Sequence, residues 1–288
     1  MDYLGFYINL DRSSQRKEEI ETQLEQLQLL SQYCRFPAAD GNVLNLERSS
    51  IRSSEIGCFT SHYLLLEKNL NQTNHLHVIE DHVILSRATN PTLQMLINSN
   101  IINNFDIIFT DTCLPFDLFA IREYKTLFDN SVVKDESGRI TAVKNYTVID
   151  LKDRYLASTS SFLVNKNAIA KLYNILQQYM KIGLRKPIDL FIRDKIRNGL
   201  ISAACIFPFI TSIRLDHLVT STISERSELN LSNLAFSLIR HSFFVECDWA
   251  KCNQLIVDYF TPIKQDIHQT LLSRIFDFVL SDRFDFFF

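Results

Sequence analysis

From Tyr3 to Ile210 the chain keeps switching between two residue periodicities, and this alternation restricts its fold more than any other feature. Tyr3 to Leu10 (YLGFYINL) is a strand-like run closed by polar Asp11-Arg12-Ser13-Ser14, after which Ile20, Leu24, Leu27 and Leu30 recur at helical spacing. Ser13 or Ser14 is positioned to cap that helix. A short strand over Cys34 to Ala38 ends in the turn Ala39-Asp40-Gly41. A helix follows over Ser54 to Leu70, capped by Ser53 or Ser54, with Ile56, Phe59, Tyr63, Leu66 and Leu70 on one face. His75 to Ile79 and Phe105 to Thr110 read as strands flanking a helix over 91–103. Val132 to Ile149 reads as a hairpin around Asp135-Glu136-Ser137-Gly138, inserted into the pattern. Leu156 to Val164 is a further strand before helices over 166–182 and 188–198, and Ile201 to Ile210 closes the series. Strands alternating with helices predict a mostly parallel α/β sheet covered on both faces.

Beyond about residue 226 the strand signal stops and helical patterns over 231–245, 249–260 and 265–281 remain. We therefore expect an α/β domain over 1–225 and a small α-helical C-terminal extension over 226–288. With 288 residues, 46% of them hydrophobic, the chain can bury such a core, which its 22 Phe require. A net charge of −3 and a pI near 6.2 give no basic field, so nucleic acid is not an expected partner. The six cysteines form no CxxC pair and are expected as reduced, buried thiols, and the five-residue step from Cys247 to Cys252 is poor zinc spacing. No run of 18 apolar residues and no N-terminal signal are seen, so a cytoplasmic protein is expected, with export by an unmarked route left open.

The most informative stretch is Val78-Ile79-Glu80-Asp81-His82, an apolar strand delivering acidic groups to the carboxyl edge of a parallel sheet, where open α/β folds bind ligands. A strand end that is merely polar explains a bare Glu-Asp pair equally well. Its neighbours add weight. Ile8-Asn9-Leu10 with Arg12 and Arg16, Ala39-Asp40-Gly41, Ser54-Glu55-Ile56-Gly57-Cys58 with Ser61-His62, Glu80-Asp81, Ser160-Ser161-Phe162-Leu163-Val164 and Pro187-Ile188-Asp189 follow in that order. Together, over residues 3–224, they resemble glycosyltransferase family 25.

The resemblance implies a GT-A-type fold and transfer of a hexose, commonly galactose, with inversion. The donor would be a UDP-sugar and the acceptor a hydroxyl of bacterial lipopolysaccharide or lipooligosaccharide, or of a protein. It implies Asp81 and His82 as ligands of Mn2+ or Mg2+, which would neutralise the departing diphosphate. Asn9, Arg12 and Arg16 lie at the first strand-to-helix turn, where ribose and phosphates can be held, with Asp40, Gly41, Ser61, His62 and Glu80 as further donor-site candidates. An inverting transferase needs a carboxylate base, for which Asp189 is the first candidate and Asp111, after the fourth strand, the reserve. Blander roles stand beside these: a solvated helix charge for Arg12, a turn former for Asp40, a core histidine for His62, a helix cap for Asp189.

Relatives read Glu-Asp-Asp where this chain reads Glu80-Asp81-His82, which removes one negative charge from the metal site. An active enzyme, an enzyme needing little metal and a domain that binds a nucleotide sugar without turning it over all stay open, as does export to act on a foreign protein. At the C-terminus, Leu272, Ile275, Phe276, Val279 and Leu280 share a face ahead of Phe284 and Phe286 to Phe288. That segment could dock on the domain, pair with a second copy, or touch a membrane surface, although Asp277, Asp282 and Asp285 weigh against the membrane.

Overall fold

The computed structural model describes residues 2–260 apart from 45, 47, 115–117, 137–138, 156 and 219–230. The opening pattern becomes β1 (Tyr3–Asn9), α1 (Ser14–Gln26) and β2 (Tyr33–Pro37), then α2 (Ser53–Lys68), β3 (His75–Glu80), β4 (Val83–Leu85) and α3 (Thr89–Asn98). Next come β5 (Ile107–Phe109), α4 (Leu118–Ser131), β6 (Val132–Lys134), β7 (Ile140–Val143) and β8 (Thr147–Asp150). The chain continues through β9 (Ser161–Val164), α5 (Ile169–Ile182), α6 (Ile188–Arg197), β10 (Ala203–Phe207) and β11 (Thr211–Ile213) to α7 (Leu231–Ser242) and α8 (Trp249–Phe260).

The central sheet has seven strands in the order β2-β1-β3-β9-β5-β10-β8. β1 is parallel to β2 and β3, and β10 is parallel to β5, whereas β9 runs antiparallel to both β3 and β5 and β8 antiparallel to β10. Alternating residues serve the two faces. Val78 joins Phe59, Leu172, Leu176, Phe191 and Leu238 on one side, while Ile79 joins Ile20, Leu24, Leu93 and Leu96 on the other. The result is a mostly parallel α/β sheet with helices on both faces, consistent with a GT-A-like transferase fold.

Four readings of the sequence are corrected. The strand read from Leu156 is β9, beginning only at Ser161 and running against its neighbours. All four of its residues are buried, and a strand covered on both faces carries no sign of its direction. The hairpin read over Val132 to Ile149 is β6 with β7 alone, and β8 leaves it to edge the central sheet. The strand read over Ile201 to Ile210 ends at Phe207, and the chain turns into β11, which pairs antiparallel with β4. The fourth concerns a cap: α2 starts after Arg52, whose amide donates to Glu55 Oε2 at 2.9 Å. Helix α4 was not read from the sequence although it carries a helical stripe, with Ile121, Tyr124 and Phe128 buried at spacings of three and four. Leu234, Ala235, Leu238, Ile239 and Phe243 of the α7 region are buried in the same core as the strands. The helix read over 265–281 and the aromatic tail to Phe288 lie outside the described residues.

Two glycines fix the approach of the loop after β2 to α2. A Cβ on Gly41 would fall 1.6 Å from Ser53 O, and one on Gly57 would fall 2.6 Å from Ala39 O and 2.8 Å from Gly41 N. Backbone meets backbone there, so no side chain fits at either position.

Candidate active site

The carboxyl ends of β1 and β3 are neighbours, because the two strands are paired in parallel from Tyr3 opposite His75 to Ile8 opposite Glu80. The next residues of each meet. Asp81 N donates to Ile8 O at 3.1 Å, and Asn9 Nδ2 donates to Asp81 Oδ2 at 2.8 Å. Arg16, on the first turns of α1, brings a guanidinium 3.6 Å from Asp81 Oδ1. The turn after the opening strand and the acidic tip after β3 therefore lie side by side at one edge of the sheet. Arg35 of β2 flanks them, donating to Asn9 Oδ1 at 2.9 Å and to Asp11 Oδ1 at 2.5 Å. Further out, exposed Arg12 pairs with Asp40, whose carboxyl is held below its usual range by the Asn42 backbone amide and by Arg12 itself.

Reversal of β9 brings a third tip to this edge. Between β8 and β9 Leu151 and Tyr155 are buried, and Glu80 N donates to Ser160 O at 2.8 Å. Glu80 itself lies between two imidazoles, with His62 Nε2 3.6 Å from one oxygen and His82 Nδ1 3.6 Å from the other. Burial raises its pKa, yet His62, His82 and Arg240 outweigh that and keep the carboxyl below its usual value. His62 Nε2 is buried and has no hydrogen-bond partner among the described residues, since 3.6 Å is too long for one. His82 Nδ1 also lies 3.9 Å from Asp81 Oδ1.

Behind Glu80 sits a sealed ion pair. Arg240 of α7 donates from Nε to Asp111 Oδ2 at 2.7 Å and from a second nitrogen to the same oxygen, and it also donates to Ser160 Oγ. Ser160 Oγ in turn donates to Asp111 Oδ1 at 3.3 Å. Asp111 is 0% exposed and Arg240 4% exposed, so this carboxylate has no open path to an incoming hydroxyl. Asp189, in the first turn of α6, is partly exposed instead. Its Oδ2 accepts the Ser158 amide at 3.4 Å, and burial together with repulsion from Glu80 raises its pKa against the pull of the Leu190 and Ser158 amides.

The family model of glycosyltransferase family 25 (LPS biosynthesis protein) matches residues 4–192, more than half of the chain. The chain belongs to glycosyltransferase family 25. No curated protein matches it significantly. Membership makes this a transferase domain and implies a nucleotide-sugar donor and a glycan acceptor. The matched region spans every strand of the sheet except β10, and it stops before Arg240.

Within this family 25 domain the residues singled out by sequence separate into three groups. Asn9, Arg16, Glu80, Asp81, His82, His62, Asp111 and Asp189 gather at one edge, directly or through a shared partner. Arg12 and Asp40 form its outer rim. Gly41 and Ser61 serve the scaffold: Ser61 is 1% exposed, donating to Gly57 O at 2.7 Å and accepting the Ala39 amide at 2.9 Å. Three participants were not legible. Arg35 sits in a strand whose pattern gives no reason to single out one charge, Ser158 reaches the edge only because β9 is reversed, and Arg240 arrives from a helix far along the chain.

Proposed function

We propose that this protein transfers a hexose, galactose by the family's habit, from a UDP-sugar to a hydroxyl of a growing lipopolysaccharide or lipooligosaccharide glycan, with inversion, in the cytoplasm. The observation that carries the reading is the hydrogen bond from Asn9 to Asp81, which joins the helix-capped turn after β1 to the acidic tip after β3. Arg16 and Arg12 hold the diphosphate from the α1 side, and Arg35 braces Asn9 from below. Asp189 takes the proton of the acceptor hydroxyl as that oxygen attacks the anomeric carbon and the nucleotide departs from the opposite face. Its raised pKa suits a base better than an ordinary carboxylate. Asp111 acts as the anchor of Arg240, whose fixed positive charge stabilises the acidic cluster.

Asp81 Oδ1 and His82 Nδ1 stand 3.9 Å apart at the same strand end, so an oxygen and an imidazole donor are both within reach of one divalent ion. Those two residues would hold it, and the mixed oxygen and imidazole donors suit Mn2+ better than Mg2+. When bound, such an ion supplies charge neutralisation of the leaving diphosphate.

A thermal-shift screen of UDP, GDP, CMP and their sugars, with and without Mn2+, tests the reading together with UDP release from UDP-hexoses. Wild type should be stabilised by UDP species and release UDP slowly, and Asp81→Ala should lose both. No stabilisation by any UDP species and no UDP release from folded protein would sink the proposal. Stabilisation without release would favour a domain that holds the nucleotide sugar without turning it over, a reading that His82 in place of a third acid supports.

A further inference from the structure

A second group of metal-type side chains lies outside the site above, where α7 turns into α8. His241 is in the last turn of α7, Cys247 in the connection and Cys252 in the first turn of α8. One ligand atom from each lies within 4.8 Å of the others, and the two sulfurs are 4.0 Å apart. Two thiolates on one tetrahedral Zn2+, with bonds of about 2.3 Å, stand about 3.8 Å from each other. The sulfurs therefore need to move by only a fraction of an ångström.

The histidine is already oriented. Its Nδ1 lies 3.1 Å from Ser212 Oγ in β11, a bond that fixes the ring, and the hydrogen-bonded ring nitrogen opposite the ligating one is a recurring second layer of zinc sites. Nε2 faces the turn and accepts the Asp248 amide at 3.3 Å, a bond that a metal ion would have to replace. His241 and Cys252 are buried, so two of the three donors would be shielded from exchange. The corner itself is tied to the sheet: Phe209 N donates to Phe243 O and Val245 N to Phe209 O, each at 3.0 Å. The spacing His-x5-Cys-x4-Cys matches no common zinc signature, which is why the sequence argued against a site that the fold assembles.

We propose that His241, Cys247 and Cys252 bind one Zn2+ per chain as a structural site, with water or the exposed Asp248 carboxylate in the fourth position. Binding replaces the two thiol protons, which leave to solvent, and involves no change of oxidation state. Because His241 adjoins Arg240, the ion would pin the end of α7 that delivers Arg240 to Asp111. The site stands independently of the transferase reading.

The test is metal uptake by full-length protein, kept reduced with a phosphine, stripped with chelator and re-loaded with Zn2+ or with Co2+ as a spectroscopic probe. Expected are one equivalent of metal by elemental analysis, a thiolate-to-cobalt charge-transfer band with tetrahedral visible bands, and a higher Tm with Zn2+. Cys247→Ser and Cys252→Ser should each lose the charge-transfer intensity or the metal while keeping wild-type circular dichroism. Folded wild type that takes up neither metal would overturn the proposal. So would uptake unchanged in the Cys247→Ser, Cys252→Ser double variant, or uptake abolished instead by Cys58→Ser, which would assign the metal to Cys58, His62 and Glu80.

Discussion

Asn9 and Asp81, 72 residues apart in sequence, share a buried hydrogen bond of 2.8 Å that ties the ends of β1 and β3 together. Asn9 uses its other side-chain atom to accept Arg35 Nε at 2.9 Å, so one amide orients both an acid and a base of the edge. Asn9→Ala removes a bond to a charged acceptor and should cost about 1.5–3 kcal/mol in urea unfolding. It should also raise the KM for a UDP-sugar donor more than it lowers kcat, because Asp81 and Arg35 lose their common support. A variant with unchanged stability and unchanged KM would show that the pair positions nothing.

Arg240 is expected to matter for stability before it matters for chemistry. Removing it leaves Asp111 buried and uncompensated, a change that costs about 3–5 kcal/mol. Arg240→Met should therefore unfold at markedly lower denaturant. Adding Asp111→Leu should recover most of the loss, since an apolar pair of similar volume is often as stable as the ion pair it replaces. If the single variant is as stable as wild type, the guanidinium is not held as described; if the double variant is no better than the single, the penalty has another origin.

Much of this arrangement was written locally. The strand-turn-helix opening, the acidic tip at Glu80-Asp81 and Pro187-Ile188-Asp189 at the head of α6 each follow from short-range pattern, because period and turn chemistry act over a few residues. The direction of β9 was not readable, since Ser161-Phe162-Leu163-Val164 is covered on both faces and its neighbours are chosen by the whole sheet. That one reversal moves Ser158 and Ser160 to the edge. Asp111 shows the same limit from the other side: its position after a strand was legible, whereas its sequestration depends on an arginine 129 residues away. Ser61 and Gly57 carry the family-like motif on α2, but only the backbone contact with Ala39 and Gly41 explains why those types are needed there.

Asp189 gives a prediction in pH. A base must be deprotonated, so activity falls as pH drops through its pKa; burial and Glu80 raise that pKa above the ordinary value of 3.8. The acid limb of kcat/KM should accordingly lie above the range of a free aspartate. Asp189→Asn should reduce kcat by roughly 10²–10⁴-fold with little change in donor KM and should abolish that limb. A limb that persists at full amplitude in Asp189→Asn, on a comparably active protein, would assign the base elsewhere.

His77 sits in the middle of β3 with no exposed surface, its Nδ1 2.5 Å from the Tyr33 hydroxyl and its Nε2 3.3 Å from Ser161 Oγ. Burial pushes its pKa from the ordinary 6.5 down to about 3, so the ring is neutral in the folded protein at every working pH. Between those two values the unfolded chain binds a proton that the folded chain does not. Stability from this residue is thus fully present above pH 6.5 and is lost as pH falls, levelling off near pH 3, with a limiting slope of about 1.4 kcal/mol per pH unit. His75 and His241, whose pKa values burial also lowers, act in the same direction, so the diagnostic quantity is a difference between proteins. Unfolding free energies of wild type and His77→Gln, measured from pH 7 to pH 4.5 to stay above most carboxylate titrations, should converge as the pH drops, because glutamine carries the cost of a changed bond network but no proton. Parallel curves across that window would mean that His77 is protonated in the folded state, and that the Tyr33 hydroxyl accepts from the ring instead of donating to it.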